Sequence, residues 1–351
     1  MTDGPSTIPL FATIDPSLFN STVCLSSSQE KELSQEFADM IGVKHAIFCS
    51  PSIRALQLAL QAIGLKTGDE VITSPFANPE TVQAILSTGA TPVFADIATH
   101  SYALDVKEVE SKITKHTKAI LPVHLYGFPA DIEELMHLAN ELGLYLIEDC
   151  AQSALAIAGG VMAGSIGEIG YFSFFQQDPA HPHGRVGCIT TNNDDLATKC
   201  RVLQQEQRKD TLPLPTALKE EIKNLEGQIE TQRKAAAWYA EGLTGVPVWF
   251  PPLDEAEEIP SFYAFPIRSE QREDLKQFLQ EHRIESCAYP SEPLCQPMAL
   301  RSLQEPAENF PQAQQAANEL LLLPMFPGIS EEQVFQVCDT IRQFYEQKAP
   351  L

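Results

Sequence analysis

The sequence predicts an α/β protein, with a large, doubly wound, mainly parallel sheet followed by a smaller α+β unit. Three observations carry this. Helical and strand-like segments alternate from Gln29 onward, the strand-like ones are short apolar runs, and the pattern changes after residue 191, with the boundary of the second unit near residue 245. Such alternation is the signature of βαβ units. A chain of 351 residues also exceeds one small core, so two units, residues 1–244 and 245–351, are expected.

Residues 30–42 (EKELSQEFADMIG) carry apolar positions at helical spacing and close on Gly42, as a helix C-cap does. Residues 45–50 (HAIFCS) are a strand, and 52–64 (SIRALQLALQAIG) are a strongly amphipathic helix ending at Gly64. The turn 66–70 leads to the strand 70–74. Helix and strand then alternate through 79–89, 91–97, 105–113, 118–127, 130–143 and 144–149. Ligand sites in such sheets lie beyond the carboxyl ends of the strands, where Asp149 stands. A long polar helix over 216–243 and a proline-rich acidic connector over 246–261 precede a strand at 262–268 and helices at 272–284, 311–324 and 331–347. The charged stretch within the long helix reads as a solvated face.

Acidic residues outnumber basic ones by 47 to 24, for a formal charge of −23. Such a chain repels phosphate backbones and anionic lipid, which argues against nucleic acid and membrane as partners. Residues 1–19 show no signal-peptide pattern, and a cytoplasmic location is expected. The eight cysteines are scattered and partly within apolar runs, a pattern of reduced thiols rather than of a disulfide framework or a zinc site.

The segment VHLYGFPADIEELMHLANELGLYLIEDCAQS (residues 123–153) is similar to the DegT/DnrJ/StrS family of nucleotide-sugar aminotransferases that depend on pyridoxal phosphate (PLP). GVKHAIFCS, LQLALQAIGLKTGDEVI, STGATPVFADI, GSIGEIGYFSFF, RIESCAYP and LLLLPMFPGISEEQV resemble that family's segments in the family's order. The resemblance spans roughly Ile8 to Gln347. It implies the fold-type-I PLP-transferase architecture, a homodimer, and a role in sugar or polysaccharide biosynthesis.

PLP chemistry requires a lysine to carry the cofactor as an imine, a carboxylate on the pyridine nitrogen, a face against the ring and donors for the phosphate. By resemblance, Asp149 matches the nitrogen's partner, Gln152 the residue near the ring hydroxyl, and Ser173 a serine at or beside the phosphate. Ser52 falls within the family's phosphate turn, and Phe76 is a retained aromatic that normally points away from the ring. The lysine expected five residues after Ser173 is Asp178, and no lysine occurs between Lys118 and Lys199. Pro51, Ser52 and Ile53 replace the family's SGT phosphate turn, and Asn78 replaces the aromatic that stacks on the ring. Arg185, Val186 and Gly187 stand where a glycine pair is expected. Leu294 replaces a histidine near the sugar, and the G-x-N-x-R-M loop that reaches the neighbouring subunit is absent. His181 and His183 lack a marked third ligand, so no metal is expected.

Two functions follow. One is a non-catalytic homologue that binds a nucleotide sugar or a partner enzyme, with PLP at most weak and non-covalent. The other is a PLP- or PMP-dependent dehydratase or aminotransferase with His181, in PAHPH, as the base in place of lysine.

Overall fold

The computed structural model describes residues 7–11, 24–99, 101–175, 185–207, 214–253, 258–290 and 309–348. The chain opens with α1 (Ser27–Ile41), whose start is fixed by a capping box. The Ser26 hydroxyl faces the Gln29 N–H while the Gln29 side chain accepts from the Ser26 N–H, and Gly42 closes the helix at φ +82°. There follow β1 (His45–Cys49), α2 (Ser52–Ala62), β2 (Glu70–Thr73), α3 (Pro79–Ser87), β3 (Thr91–Phe94), α4 (Val106–Lys112), β4 (Thr117–Leu121), α5 (Ile132–Leu142) and β5 (Tyr145–Asp149). After the small hairpin β6 (Ile157–Ala158) and β7 (Val161–Met162) come β8 (Ile169–Phe174), β9 (Val186–Thr191) and α6 (Asp194–Glu206). The chain continues through α7 (Ala217–Gly242), β10 (Phe265–Arg268), α8 (Arg272–Glu281), α9 (Pro311–Glu319), β11 (Leu320–Leu323) and α10 (Glu331–Lys348).

The main sheet has seven strands in the order β1-β9-β8-β5-β4-β2-β3. Pairings are parallel from β8 to β3, while β9 runs antiparallel to both of its neighbours. The predicted alternation is thus present, in a mostly parallel sheet. Two departures are informative. The helix expected over 311–324 stops at Glu319, and Leu320–Leu323 form β11 against β10. Four leucines suit a strand buried between layers as well as a helix, and periodicity alone does not separate the two. Helix α6 is absent from the sequence reading, yet Asn193 caps it by accepting from the Asp195 and Leu196 N–H groups, the signal that marks its start.

Helix α7 ties two cores together. At 26 residues it is about 39 Å long. Its first half lays Leu218, Ile222, Leu225 and Ile229 on a core with Phe37, Phe48, Phe172 and Phe174. Phe37 meets Phe172 edge-on at 5.2 Å and Phe174 at 5.5 Å, contacts worth about 0.5–1.5 kcal/mol each. Its second half places Ala235, Ala236 and Tyr239 in the core of the β10–β11 unit, where Tyr239 stacks on Phe265 at 4.6 Å. The charged residues Lys223, Glu226, Glu230 and Lys234 are exposed as expected, but the same stretch turns Leu225, Ile229 and Gln232 inward. Among the described residues no helix is long and apolar enough to cross a membrane.

Candidate functional site

The carboxyl ends of β4, β5 and β8 converge on Asp149. It ends β5, is 2 % exposed, and accepts from the Thr81 hydroxyl at 2.8 Å and the Ala151 N–H at 3.1 Å. Burial pushes its pKa up, against those two hydrogen bonds and the neighbouring His124.

Thr81 reaches Asp149 because α3 points its first turn at the strand end. Asn78 is the N-cap of that helix, accepting from the Glu80 N–H at 3.1 Å, and Pro79 occupies the first turn, where its missing N–H costs nothing. The same turn brings in Glu80, which interacts electrostatically with Asp149, Tyr171 and Tyr289. Its pKa rises from the ordinary 4.5 to about 7, through burial first and the Asp149 charge second. The Asp149 charge thus opposes ionisation of Glu80.

A measurable pH dependence follows. With its folded pKa above its unfolded one, Glu80 favours the fold below about pH 4.5, and this contribution is lost as pH rises towards 7. Discounted for its partial exposure, the effect is about 1–2 kcal/mol. Glu80→Gln is expected to flatten the fall in urea-unfolding stability between pH 5 and 8 by about that amount. Identical slopes for the two proteins would show that the carboxyl is not held in this environment.

The other residues picked out in the sequence occupy definite places. Ser52 begins α2, is 1 % exposed, and with Ser173 on β8 hydrogen-bonds the hydroxyl of Tyr171, whose pKa burial pushes up. Gln152 accepts from the Tyr126 N–H at 2.9 Å. Phe76 is fully buried and stacks on Tyr102 at 6.1 Å with the rings 11° apart. Gly187 packs so closely on α2 that a Cβ there would meet the Ser52 carbonyl oxygen at 2.5 Å. Asp178, His181, His183 and Leu294 lie outside the described residues.

Sequence reasoning missed the network that fixes the loop beside Asp149. His124 and Glu148 are fully buried, with Nε2 and Oε2 3.1 Å apart. The Ala130 N–H donates to His124 Nδ1 at 2.9 Å, so Nε2 carries the proton and donates to Glu148. Glu148 also accepts from the N–H groups of Gly164, Ile166 and Gly167. Cys150 completes a trio whose donor atoms lie within 4.8 Å of one another. Metal binding there would require breaking this set, because four donors already occupy the lone pairs of Glu148 and His124 has none free. The loop next turns on Tyr126 at φ 58° and Gly127 at φ +91°, where a Cβ would meet the Phe262 nitrogen at 2.5 Å. The signal for the network was a glutamate inside the apolar run LYLIED.

A seven-stranded, mostly parallel sheet with a buried aspartate at the central strand end, and a small α/β unit joined by a long helix, is the architecture of fold-type-I PLP-dependent aminotransferases. The chain belongs to the DegT/DnrJ/EryC1/StrS aminotransferase family, whose model matches residues 14–211 and 216–342. It is 37% identical over 335 residues, covering 90% of this chain and 88% of the relative, to a UDP-N-acetyl-3-dehydro-alpha-D-glucosamine 3-aminotransferase of Acidithiobacillus ferrooxidans. It is 36% identical over 332 residues, covering 90% and 89%, to a pleiotropic regulatory protein of Geobacillus stearothermophilus. The solved structure of DesV from S. venezuelae, in complex with a ketimine intermediate, superposes with a TM-score of 0.87 at 28% identity, covering 97% of this chain and 99% of that one.

Proposed function

We propose that this chain is a non-catalytic member of its family, a binding or partner subunit in nucleotide-sugar metabolism without transaminase activity. The observation that carries this reading is the state of the strand end. Asp149 is satisfied by the chain's own Thr81 and Ala151 and faces Glu80, a second carboxyl that keeps its proton to about pH 7.

PLP, when bound, supplies an electron sink for amino-group transfer. Of the residues that match the family's cofactor site, Asp149, Gln152 and Ser173 are kept, while the ring stack and the phosphate turn are not. Phe76 is closed against Tyr102 and offers no face, Asn78 caps α3, and the Ser52 hydroxyl is turned to Tyr171. No lysine stands between Lys118 and Lys199 to carry the imine. At a formal charge of −23 the protein also disfavours a phosphate dianion, so PLP binding is weak and non-covalent in this reading. The relative named as a regulatory protein is compatible with a role outside catalysis. The dehydratase reading needs His181 above a bound cofactor, and no observation favours it.

The direct test is the amino-donor half-reaction. Protein incubated with PLP and glutamate is expected to yield no PMP above the protein-free rate, and catalytic turnover would overturn the reading. In the same reading the chain is a cytoplasmic homodimer. The apolar residues of α2 other than the half-buried Ile53 are buried within a single chain, so they lend the dimer no support. Light scattering at micromolar concentration is expected to show twice the 38.7 kDa chain mass. A monomer mass would remove the dimer.

A further inference from the structure

We propose that the cleft between the β10–β11 unit and the loop after β3 binds a free α-amino acid with an apolar side chain, its carboxylate on Arg268 and its ammonium on Glu319 and Glu270. The cleft has a volume of about 560 Å³. That lies within the roughly 300–1,000 Å³ of small-molecule sites. Its walls share no residue with the strand end around Asp149, so the inference stands apart from the reading of the chain as non-catalytic.

Arg268 ends β10 opposite Leu320 and is only 8 % exposed. The central carbon of its guanidinium lies 4.9 Å from the ring centre of Tyr102 and 4.7 Å from that of Trp249. Nη1 and Nη2 donate to the carbonyls of Thr99 and Ser101 at 3.3 and 3.1 Å, and Nε is buried without a hydrogen-bond partner. These bonds tie the loop after β3 to β10, which is a structural use of the side chain. They leave its charge uncancelled. Among the described residues no carboxylate forms an ion pair with Arg268. Arginines are almost never this deeply buried unless paired, and rings and carbonyls ease the burial of a cation without neutralising it. Arg268 lines the cleft, and its planar fork is suited to a carboxylate arriving there.

The rest of the wall selects the guest. The half-buried Glu319 and the exposed Glu270 face the same cleft, so a phosphate or a dicarboxylate brought to Arg268 meets two like charges. Glu319 stands near Arg268, since Tyr102 interacts electrostatically with both, and its Oε1 is held by the Gln315 side chain at 2.9 Å. A guest with one carboxylate and an ammonium a few atoms away satisfies both signs. Pro247, Val248, Trp249 and Tyr345 add apolar and aromatic surface for a side chain. Carboxylate, ammonium and apolar side chain in one small molecule define an α-amino acid. Glutamate, with its second carboxylate, is disfavoured by the same two residues.

The test is calorimetry on the full-length protein with L-phenylalanine as the probe, repeated by tryptophan fluorescence. The wild type is expected to bind with a Kd of about 0.1–1 mM, as fits a ligand of so few atoms. Phenylpropionate, which lacks the ammonium, and phenethylamine, which lacks the carboxylate, are each expected to bind about tenfold more weakly or worse. Inorganic phosphate and L-glutamate are expected not to compete. Arg268→Gln is expected to abolish binding. Because that change also releases the loop after β3, the double variant Glu270→Gln with Glu319→Gln is the second arm, at positions that are exposed or half-buried. It is expected to weaken phenylalanine about tenfold while phenylpropionate binds as well as before or better. No saturable binding of phenylalanine below about 10 mM would overturn the proposal. Equal affinity for phenylalanine and phenylpropionate, competition by phosphate, or binding unchanged in the double variant, as for an amino acid held at the strand end, would overturn it as well.

Discussion

Glu148→Ala is expected to destabilise the protein by about 3–5 kcal/mol, because it removes a buried carboxylate that accepts four hydrogen bonds and leaves its donors unpaired. The carboxylate accepts from His124 and from three backbone N–H groups; His124 and Gly164 are buried and cannot turn to water, while Ile166 and Gly167 are half-buried. Each orphaned donor alone costs roughly 1–3 kcal/mol, though such penalties overlap. His124 loses its fixed place between Ala130 and Glu148, and the loop carrying Tyr126 loses its anchor with it. The urea-unfolding midpoint of the variant measures this. A loss below about 1 kcal/mol would show that the network is not what holds the strand end together.

The second large effect is an absence. Asp178→Lys restores an amine at the position where the family carries its lysine, yet with added PLP it is expected to develop no yellow, borohydride-trappable imine absorbance. One lysine supplies neither the ring stack missing at Asn78 nor the phosphate donors missing at Pro51 and Ile53. It also leaves Glu80 within electrostatic reach of Asp149, so a ring nitrogen arriving there would meet a second carboxyl. Asp178→Lys combined with Glu80→Ala is the informative partner variant, because it removes the competing carboxyl. A coloured single variant would mean that only the nucleophile had been removed and that the cradle survives.

Much of the fold could be read from the chain because its signals are local. The alternation of runs and the closing Gly42 each act within a few residues, so a single sequence carries them. Leu320–Leu323 were misread as helix because their partner is β10, more than fifty residues upstream, and only the pairing settles the period. At the site, Asp149, Gln152, Ser52 and Ser173 were recognisable through a resemblance, but their present partners were not. Thr81 and Glu80 reach Asp149 only because Asn78 caps α3 at that point, and the distance from residue 81 to residue 149 is closed by the parallel pairing of β2 with β4 and of β4 with β5. Asn78 looked like a mere loss in the sequence. In the fold its side chain starts the helix that brings a second carboxyl to the strand end.

The central claim is that the strand end no longer accommodates the family's cofactor, and titration of the wild-type protein with PLP tests it most directly. Followed by protein fluorescence and by borohydride reduction with peptide mass mapping, it is expected to show no saturation below about millimolar PLP, weaker than roughly −4 kcal/mol, and no pyridoxyl-modified lysine. A micromolar Kd, or a single lysine trapped in stoichiometric yield, would contradict the account.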